Sequence, residues 1–397
     1  MKIVKFLAYC VNYILYLFSF LIPRTTKKWA FGSYRGAFND NSKYLFIYAC
    51  EHRTDVQACW LSINRNTVQQ IRQRGLPAKW IFSISGIWFA LRAKYWFFNA
   101  YCSDILFGLS GGAQLVNLWH GVPIKCIEFC ITQGELAKRY VDKNFWDMFY
   151  HPASFIRPTW MASTTEFYDD IFSRSFRIRK SQCMHTGCPR NKMLLLPQQD
   201  LKKFVNKYET NATKQLIQQL QTYNKVFVYM PTWRDSQRDC FANGFDLDAL
   251  NQCAARINSC VLMKPHANTI VDSTKVYNHL YFIDGSVDMY CILPFTDVLI
   301  TDYSSVMYDY MLMPNKQIIL FHYDYEDYVK EREFFFDINE NAVGVRVYSF
   351  ADLLHIIETG NYQMDEEQRR QLIDKFWGHT MDANQDVCAN ILKNIHC

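Results

Sequence analysis

Two histidines in this chain stand where an apolar run gives way to a turn, a position from which a side chain can reach a substrate. His120 lies in Asn117-Leu118-Trp119-His120-Gly121-Val122-Pro123, where Gly121 permits close approach of a ligand and Pro123 fixes the exit. An acid or base must come within about 3 Å of its proton, and strand-end loops hold side chains at fixed positions. His266 lies in Lys264-Pro265-His266, with the proline stiffening the chain before it. An imidazolium donates to phosphate oxygens and a neutral ring accepts a proton; a satisfied structural histidine leaves the same signature.

Groups suited to phosphate accompany them. Asp302-Tyr303-Ser304-Ser305 opens a predicted helix running to about Met311, and the free N–H groups of a helix start bind anions. Simple capping would need only one of these residues. Arg234, in Thr232-Trp233-Arg234-Asp235, brings a forked cation that fits a diphosphate, or else an ion pair with Asp235. Thr232, Lys264 and Asp302 complete the candidate donor-phosphate set with Arg234, Ser304 and Ser305. Gly32-Ser33-Tyr34-Arg35-Gly36 is a small turn unlike the dinucleotide fingerprint, and Ser33, Arg35 and Gly121 are the candidate acceptor-side residues. There is no P-loop and no HExxH, and an Asp-x-Asp pair of the sort that commonly holds a divalent metal on a nucleotide-sugar donor is expected to be absent. The expected charge neutralisation is by side chains and helix dipoles without an obligatory metal, Mg2+ being an optional addition.

These motifs need a scaffold that gathers strand ends. Apolar β-rich runs at Trp29–Phe31, Val56–Leu61, Tyr95–Asn99, Leu115–Leu118, Met161–Ser163 and Cys183–His185 alternate with helical patterns. The aromatic stretch Trp80–Phe98 reads as a core helix followed by a strand. A Gln- and Lys-rich helical stretch, Gln198–Tyr223, separates the halves. Strands resume at Lys225–Met230, Cys260–Lys264, Asp297–Thr301 and Gln317–His322, with a helix near Leu247–Ile257. Such alternation predicts an α/β protein with parallel sheets covered on both faces, arranged as two facing Rossmann-like domains. Open α/β sheets bind ligands beyond the carboxyl ends of their strands, so the motifs are expected to meet in one crevice.

The bulk numbers agree. At 397 residues, half of them hydrophobic, the chain fills two cores and is not disordered. A net charge of +5 is too mild for a nucleic-acid partner and suits nucleotides, diphosphates and lipid head groups. Fourteen cysteines are scattered singly, so buried reduced thiols are expected, not zinc sites. The apolar run Phe6–Ile22, interrupted by Asn12 and Ser19 and flanked by Lys2, Lys5, Arg24, Lys27 and Lys28, is short of the roughly 20 residues that span a bilayer. A membrane-associated helix lying in the leaflet is expected, with an ordinary buried helix as the alternative. The expected layout is this helix over 1–27, an N-terminal Rossmann-like domain over 28–200 and a C-terminal Rossmann-like domain over 201–397.

Read in order, Phe31-Gly32-Ser33, Asn39-Asp40-Asn41-Ser42-Lys43-Tyr44, Trp119-His120-Gly121-x-Pro123, Thr186-Gly187-x-Pro189-Arg190-Asn191, Pro231-Thr232-Trp233-Arg234-Asp235, Lys264-Pro265-His266, Ile300-Thr301-Asp302-Tyr303-Ser304-Ser305 and Phe334-Phe335-Phe336-Asp337 form a set. Together they resemble the CDP-glycerol glycerophosphotransferases of teichoic-acid and capsule synthesis. That resemblance implies a GT-B fold and a peripheral or monotopic place on the cytoplasmic face of the bacterial cell membrane. It implies transfer of glycerol phosphate from CDP-glycerol to a hydroxyl of a polyprenyl-linked or capsular glycan, releasing CMP. It also implies that His120 is the base acting on the acceptor, that His266, Arg234, Ser304 and Ser305 contact donor phosphates, and that Asp302 organises their loop. Val122, Ala267, Cys188, Lys192 and Glu333 replace the usual Thr, Pro, Tyr, Asp and Gly of the family and leave the polyol open. CDP-ribitol is then the rival donor. A CMP-sugar-dependent GT-B capsule glycosyltransferase, in which the acceptor attacks carbon, is the rival reaction.

Overall fold

The structure, a computed structural model, describes residues 2–232, 245–264, 275–284 and 287–395. Arg234 and His266, with Trp233, Asp235 and Pro265, lie outside the described residues. The chain divides into two compact units: unit 1 holds Met1–His120, Cys126–Lys192 and Trp377–Cys397, and unit 2 holds Gly121–Lys125 and Met193–Phe376.

Unit 1 is built on strands β1 (Thr25–Phe31), β2 (Gln57–Ser62), β3 (Ala78–Trp80), β4 (Ala93–Phe98), β5 (Gln114–Asn117), β6 (Trp160–Ser163) and β7 (Cys183–His185). They form one sheet in the order β3-β2-β1-β4-β5-β6-β7, with every pairing parallel. Unit 2 repeats the plan with β8 (Lys225–Tyr229), β9 (Ser259–Met263), β10 (Leu280–Phe282), β11 (Val298–Thr301), β12 (Gln317–Phe321) and β13 (Val345–Val347). Their order is β10-β9-β8-β11-β12-β13, again all parallel. Both sheets therefore reverse direction of winding at one place, between β1 and β4 and between β8 and β11. That switch point is where an open α/β sheet leaves a crevice for ligands.

Local chemistry explains the elements. The strands read as continuous apolar runs because both faces are covered; Trp29, Trp60 and Trp96 are wholly buried, each side chain adding about 1.5–3 kcal/mol. Helix α2 (Asp40–His52) follows β1. Helix α3 (Arg65–Gln73) starts at Asn64, whose side chain accepts the N–H groups of Asn66 and Thr67, and buries Val68 and Ile71. Helix α4 (Ile84–Arg92) is capped by Ser83, which accepts Gly86 N–H.

Helix α1 (Lys2–Ser19) packs on unit 1 with its polar and tyrosyl side. Tyr16 stacks on Phe107 at 4.6 Å, Tyr13 stacks on Phe149 at 5.3 Å, and Gly108 and Gly111 leave room for Asn12 and Ser19 to approach. The aliphatic side faces outward, with Ile3, Leu7, Val11, Ile14 and Phe18 all exposed. Arg24, just beyond the helix, donates five hydrogen bonds of 2.6–3.0 Å to the carbonyls of Ala90, Ala93, Leu109 and Gly111. Burial brings its guanidinium down to about 10. Among the described residues no helix is long and apolar enough to cross a membrane.

Several expectations differ from what is found. Three strands of three residues each, β3, β10 and β13, were too short to stand out as apolar runs. Gln198–Tyr223 is two helices, Gln198–Tyr208 and Asn211–Leu220, because Thr210 caps Thr213 N–H and restarts the winding. Helix α4 is not a core helix throughout: Ile84 and Trp88 are exposed. The layout 1–27, 28–200, 201–397 also differs from the two units. The first helix belongs to unit 1, and the last segment returns to it because Val387, Ile391 and Leu392 bury there while Tyr48 donates to Asp386 at 2.9 Å. No disulfide joins the described cysteines.

Candidate active site

In unit 1 the strand ends around the switch point are stitched together by one asparagine. Asn99, following β4, accepts Ser42 N–H at 2.9 Å and Ser42 Oγ–H at 3.0 Å, and donates through Nδ2 to Ser33 Oγ at 2.9 Å. Its N–H donates to Asp104 Oδ2 at 3.1 Å, and its carbonyl lies 3.2 Å from His120 Nδ1. A carbonyl can only accept, so Nδ1 carries the proton and Nε2 presents its lone pair. This is the tautomer a general base requires.

The loop bearing His120 is held from below. Trp119 has φ 50, a left-handed value that costs a non-glycine residue about 1–2 kcal/mol, and Gly121 has φ 116. Asn117 Oδ1 accepts Trp119 N–H at 2.9 Å, and Asn41 Nδ2 donates to Trp119 O at 2.8 Å. Asn41 Oδ1 accepts Arg190 N–H at 3.0 Å, and Arg190 pairs with Asp40 at 2.8 Å. Asp40 itself sits at φ 62 at the start of α2. The His120 ring is solvent-exposed at its edge, yet the protein mass around it pushes its pKa below the ordinary 6.5. Asp40 opposes that shift, and Arg190 reinforces it. His120 is thus neutral and able to take a proton near pH 7.

The two other acceptor-side candidates part company. Ser33 is buried, donating to Asn39 Oδ1 at 2.8 Å while accepting from Asn99, so both partners of its hydroxyl are protein. These bonds position the turn. Arg35 is exposed, at φ 54, with its guanidinium 5.1 Å over Tyr34.

In unit 2 the switch point is organised by Asp302, 2% exposed. Its carboxylate accepts Thr232 N–H at 2.9 and 3.1 Å, Thr232 Oγ1–H at 2.5 Å and Tyr303 N–H at 2.6 Å. Thr232 is therefore committed to Asp302. Ser304 and Ser305 are partly exposed, and Ser304 Oγ accepts Val306 N–H at 3.4 Å. The helix they precede runs only over Val306–Tyr310, not to Met311, so its dipole is short. Lys264 donates to the carbonyls of Asp284 at 2.7 Å and Val287 at 3.3 Å, and burial lowers its pKa. His322, unforeseen from sequence, is buried behind Asp302, stacks on Tyr303 at 4.8 Å and is brought down to about 4 by burial.

Among the described residues no group of three or more His, Cys, Asp or Glu is arranged to hold a metal ion. The Asp-x-Asp spacing does occur, at Asp246-Leu247-Asp248. There Asp246 caps the helix Leu247–Arg256, and Asp248 pairs with Lys275 at 2.6 Å.

Two parallel sheets of this order, one ending in a poised imidazole and the other in a hydroxyl-lined loop, define an α/β transferase scaffold. Residues 14–393 match the family model described as CDP-Glycerol:Poly(glycerophosphate) glycerophosphotransferase, and the chain belongs to that family. The Teichoic acid glycerol-phosphate transferase of Staphylococcus aureus (strain NCTC 8325 / PS 47) is 29% identical over 381 residues, covering 91% of this chain and 92% of the relative. The Teichoic acid poly(glycerol phosphate) polymerase of Bacillus spizizenii (strain ATCC 23059 / NRRL B-14472 / W23) is 26% identical over 373 residues, covering 87% of each. Among solved structures, the Wall Teichoic Acid Polymerase TagF superposes with a TM-score of 0.76 over 98% of this chain and 94% of that chain, at 20% identity. That likeness shows the fold.

Sequence reasoning missed Asp40, Asn41, Asn99 and Arg190 as members of the site. Three of them lie in quoted motifs, but their use depends on which strand ends become neighbours.

Proposed function

We propose that the protein transfers glycerol phosphate from CDP-glycerol to a hydroxyl of a polyprenyl-linked glycan in teichoic-acid synthesis, releasing CMP. The observation that carries the reading is the His120 tautomer: Nδ1 is fixed on the Asn99 carbonyl and Nε2 is left basic. Nε2 takes the proton of the acceptor hydroxyl, whose oxygen attacks the phosphorus bearing the glycerol. The bond from that phosphorus to the bridging oxygen breaks, and CMP departs with the electron pair. Ser304 and Ser305, on the loop that Asp302 braces, supply donors to the phosphate oxygens. Arg234 and His266 are assigned to the same charge by family resemblance. No obligatory metal is invoked, and chelation with EDTA is expected to leave turnover intact.

The outward aliphatic face of α1 supports a peripheral place on the cytoplasmic face of the membrane, the face sinking into the boundary of head groups and chains. Leu7→Glu with Phe18→Glu is expected to abolish flotation with vesicles; unchanged flotation would remove α1 from that role.

CMP release measured with CDP-glycerol, CDP-ribitol and CMP-sialic acid tests the chemistry. Turnover on CDP-glycerol is expected, and turnover confined to CMP-sialic acid would overturn it. His120→Ala is expected to end transfer while CMP still binds; a fully active variant would refute the base assignment.

A further inference from the structure

From residue 56 to residue 103 the chain contains no aspartate or glutamate, but it contains Arg65, Arg72, Arg74, Lys79, Arg92 and Lys94. This acid-free segment forms β2, α3, β3, α4 and β4, of which β3 is the edge strand of the unit 1 sheet and β2 its neighbour. At that edge lies an open groove of about 590 Å³ lined by Arg65, Gln69, Arg72, Gln73, Trp80 and Ser83. Positions 65, 69, 72 and 73 share one helical face, with buried Val68 at its margin and Ile71 turned away.

The groove is preformed for anions. Arg65 lies 3.8 Å over the Trp80 ring, whose Nε1–H is fixed on Ile63 O at 3.1 Å. Arg72 is anchored through Nε to Ala78 O at 2.8 Å, which leaves the end of its fork for a ligand. Among the described residues no carboxylate pairs with either arginine. The two cations stand seven residues apart on α3, roughly 10 Å along the axis. That separation suits an anion with repeated charges better than one orthophosphate, and the glutamine amides and the ring suit hydroxyls and C–H groups between the charges.

Its placement connects it to the reaction. Trp80 ends β3 and Arg65 follows β2, so the Arg65–Trp80 end of the groove lies at the same carboxyl edge as His120, which follows β5, while Arg72, bonded to the first residue of β3, lies toward the other end. Four strand spacings separate β5 from β3, roughly 19 Å. The exposed turn bearing Arg35 lies between, held to β2 by Ser62 Oγ–H donating to Gly36 O at 2.7 Å. We infer that this groove binds the non-reacting part of a phosphodiester-linked polyol chain, whose terminal hydroxyl is presented at His120 while earlier phosphates pass Arg35 to Arg65 and Arg72. The inference rests on the transfer reaction proposed above and adds a binding surface for the acceptor chain.

The test uses the full chain and purified, lipid-free poly(glycerol phosphate) carrying a fluorescent label. Arg65→Gln with Arg72→Gln is expected to weaken chain binding roughly 10-fold, with the difference shrinking as salt rises. The same variant is expected to lower the ratio of kcat/KM for a many-unit acceptor over a single-unit acceptor by a similar factor. Arg92→Gln, a partly exposed cation of the same segment outside the groove, is expected to leave both readings at wild-type values. An unchanged ratio together with unchanged chain binding overturns the proposal. Loss of binding to phosphatidylglycerol vesicles with chain binding intact also overturns it, in favour of a lipid head-group site. If the wild-type protein transfers no glycerol phosphate to either acceptor, the reaction is refuted, and the chain-binding arm still decides the groove.

Discussion

Replacing Asp40 by asparagine removes a charge that does two things in unit 1. It neutralises Arg190, whose side chain is 7% exposed against 20% for Asp40, and it biases His120 toward protonation. Orphaning one partner of a fully buried pair costs about 3–5 kcal/mol. Here the asparagine oxygen still accepts from Arg190 and the aspartate was a fifth exposed, so about 2–3 kcal/mol is expected, or roughly 5–10 °C in Tm for a unit of this size. In the mechanism proposed above the neutral imidazole is the active form, and loss of Asp40 lowers its pKa further. The acid limb of kcat/KM against pH therefore moves to lower pH, while the plateau falls by up to about tenfold because the base is weaker. Arg190→Gln moves the same limb to higher pH, since Arg190 acts on His120 with the opposite sign. Combining both substitutions removes the stranded cation and is expected to recover part of the lost Tm. Differential scanning calorimetry and pH-rate profiles read these outcomes. An acid limb that stays put in Asp40→Asn, or moves upward, would refute the electrostatic reasoning.

Asp104 is held well above the ordinary 3.8, at about 7, chiefly by burial. Between those values the folded state keeps a proton that the unfolded chain has released, so stability falls as pH rises from about 4 to about 7, by at most about 1.4 kcal/mol per pH unit. Asp104→Asn is expected to flatten that decline in Tm, and an unaltered slope would assign it to other groups. Gly121→Ala places a side chain at φ 116 beside His120 and is expected to cost about 1–3 kcal/mol and to depress kcat more than nucleotide affinity. Arg24→Lys keeps a charge but loses the fork that spans four carbonyls; a loss of about 2–4 kcal/mol and early proteolysis at α1 are expected.

Much of the scaffold was legible because long buried strands announce themselves. Cys183–His185 is found with the bounds read from sequence, and Lys225–Met230 and Gln317–His322 run only one residue long. Of the four three-residue strands described, only β7 was read, because so short a run carries no periodicity. In the site, His120 could be picked out by its place at a strand end, whereas Asn99 could not. Its role arises from β1, β4 and β5 becoming neighbours, and sequence order hides that adjacency. Ser33 and Lys264 have residue types suited to ligands, but which way such a side chain turns is decided by packing. The return of Val387–Asn394 to unit 1 was missed because nothing local distinguishes a helix that stays from one that crosses back.

The guanidinium of Arg24 converts a greasy helix into a rigid outrigger. A tether that swivels would let lipid choose the attitude of the enzyme. Five bonds into the backbone of the sheet's own loops deny that freedom, so α1 inherits its tilt from the protein interior. On the membrane placement proposed above, changing the lipid mixture should then alter how long the molecule rests on a bilayer without altering the height at which His120 is carried above it.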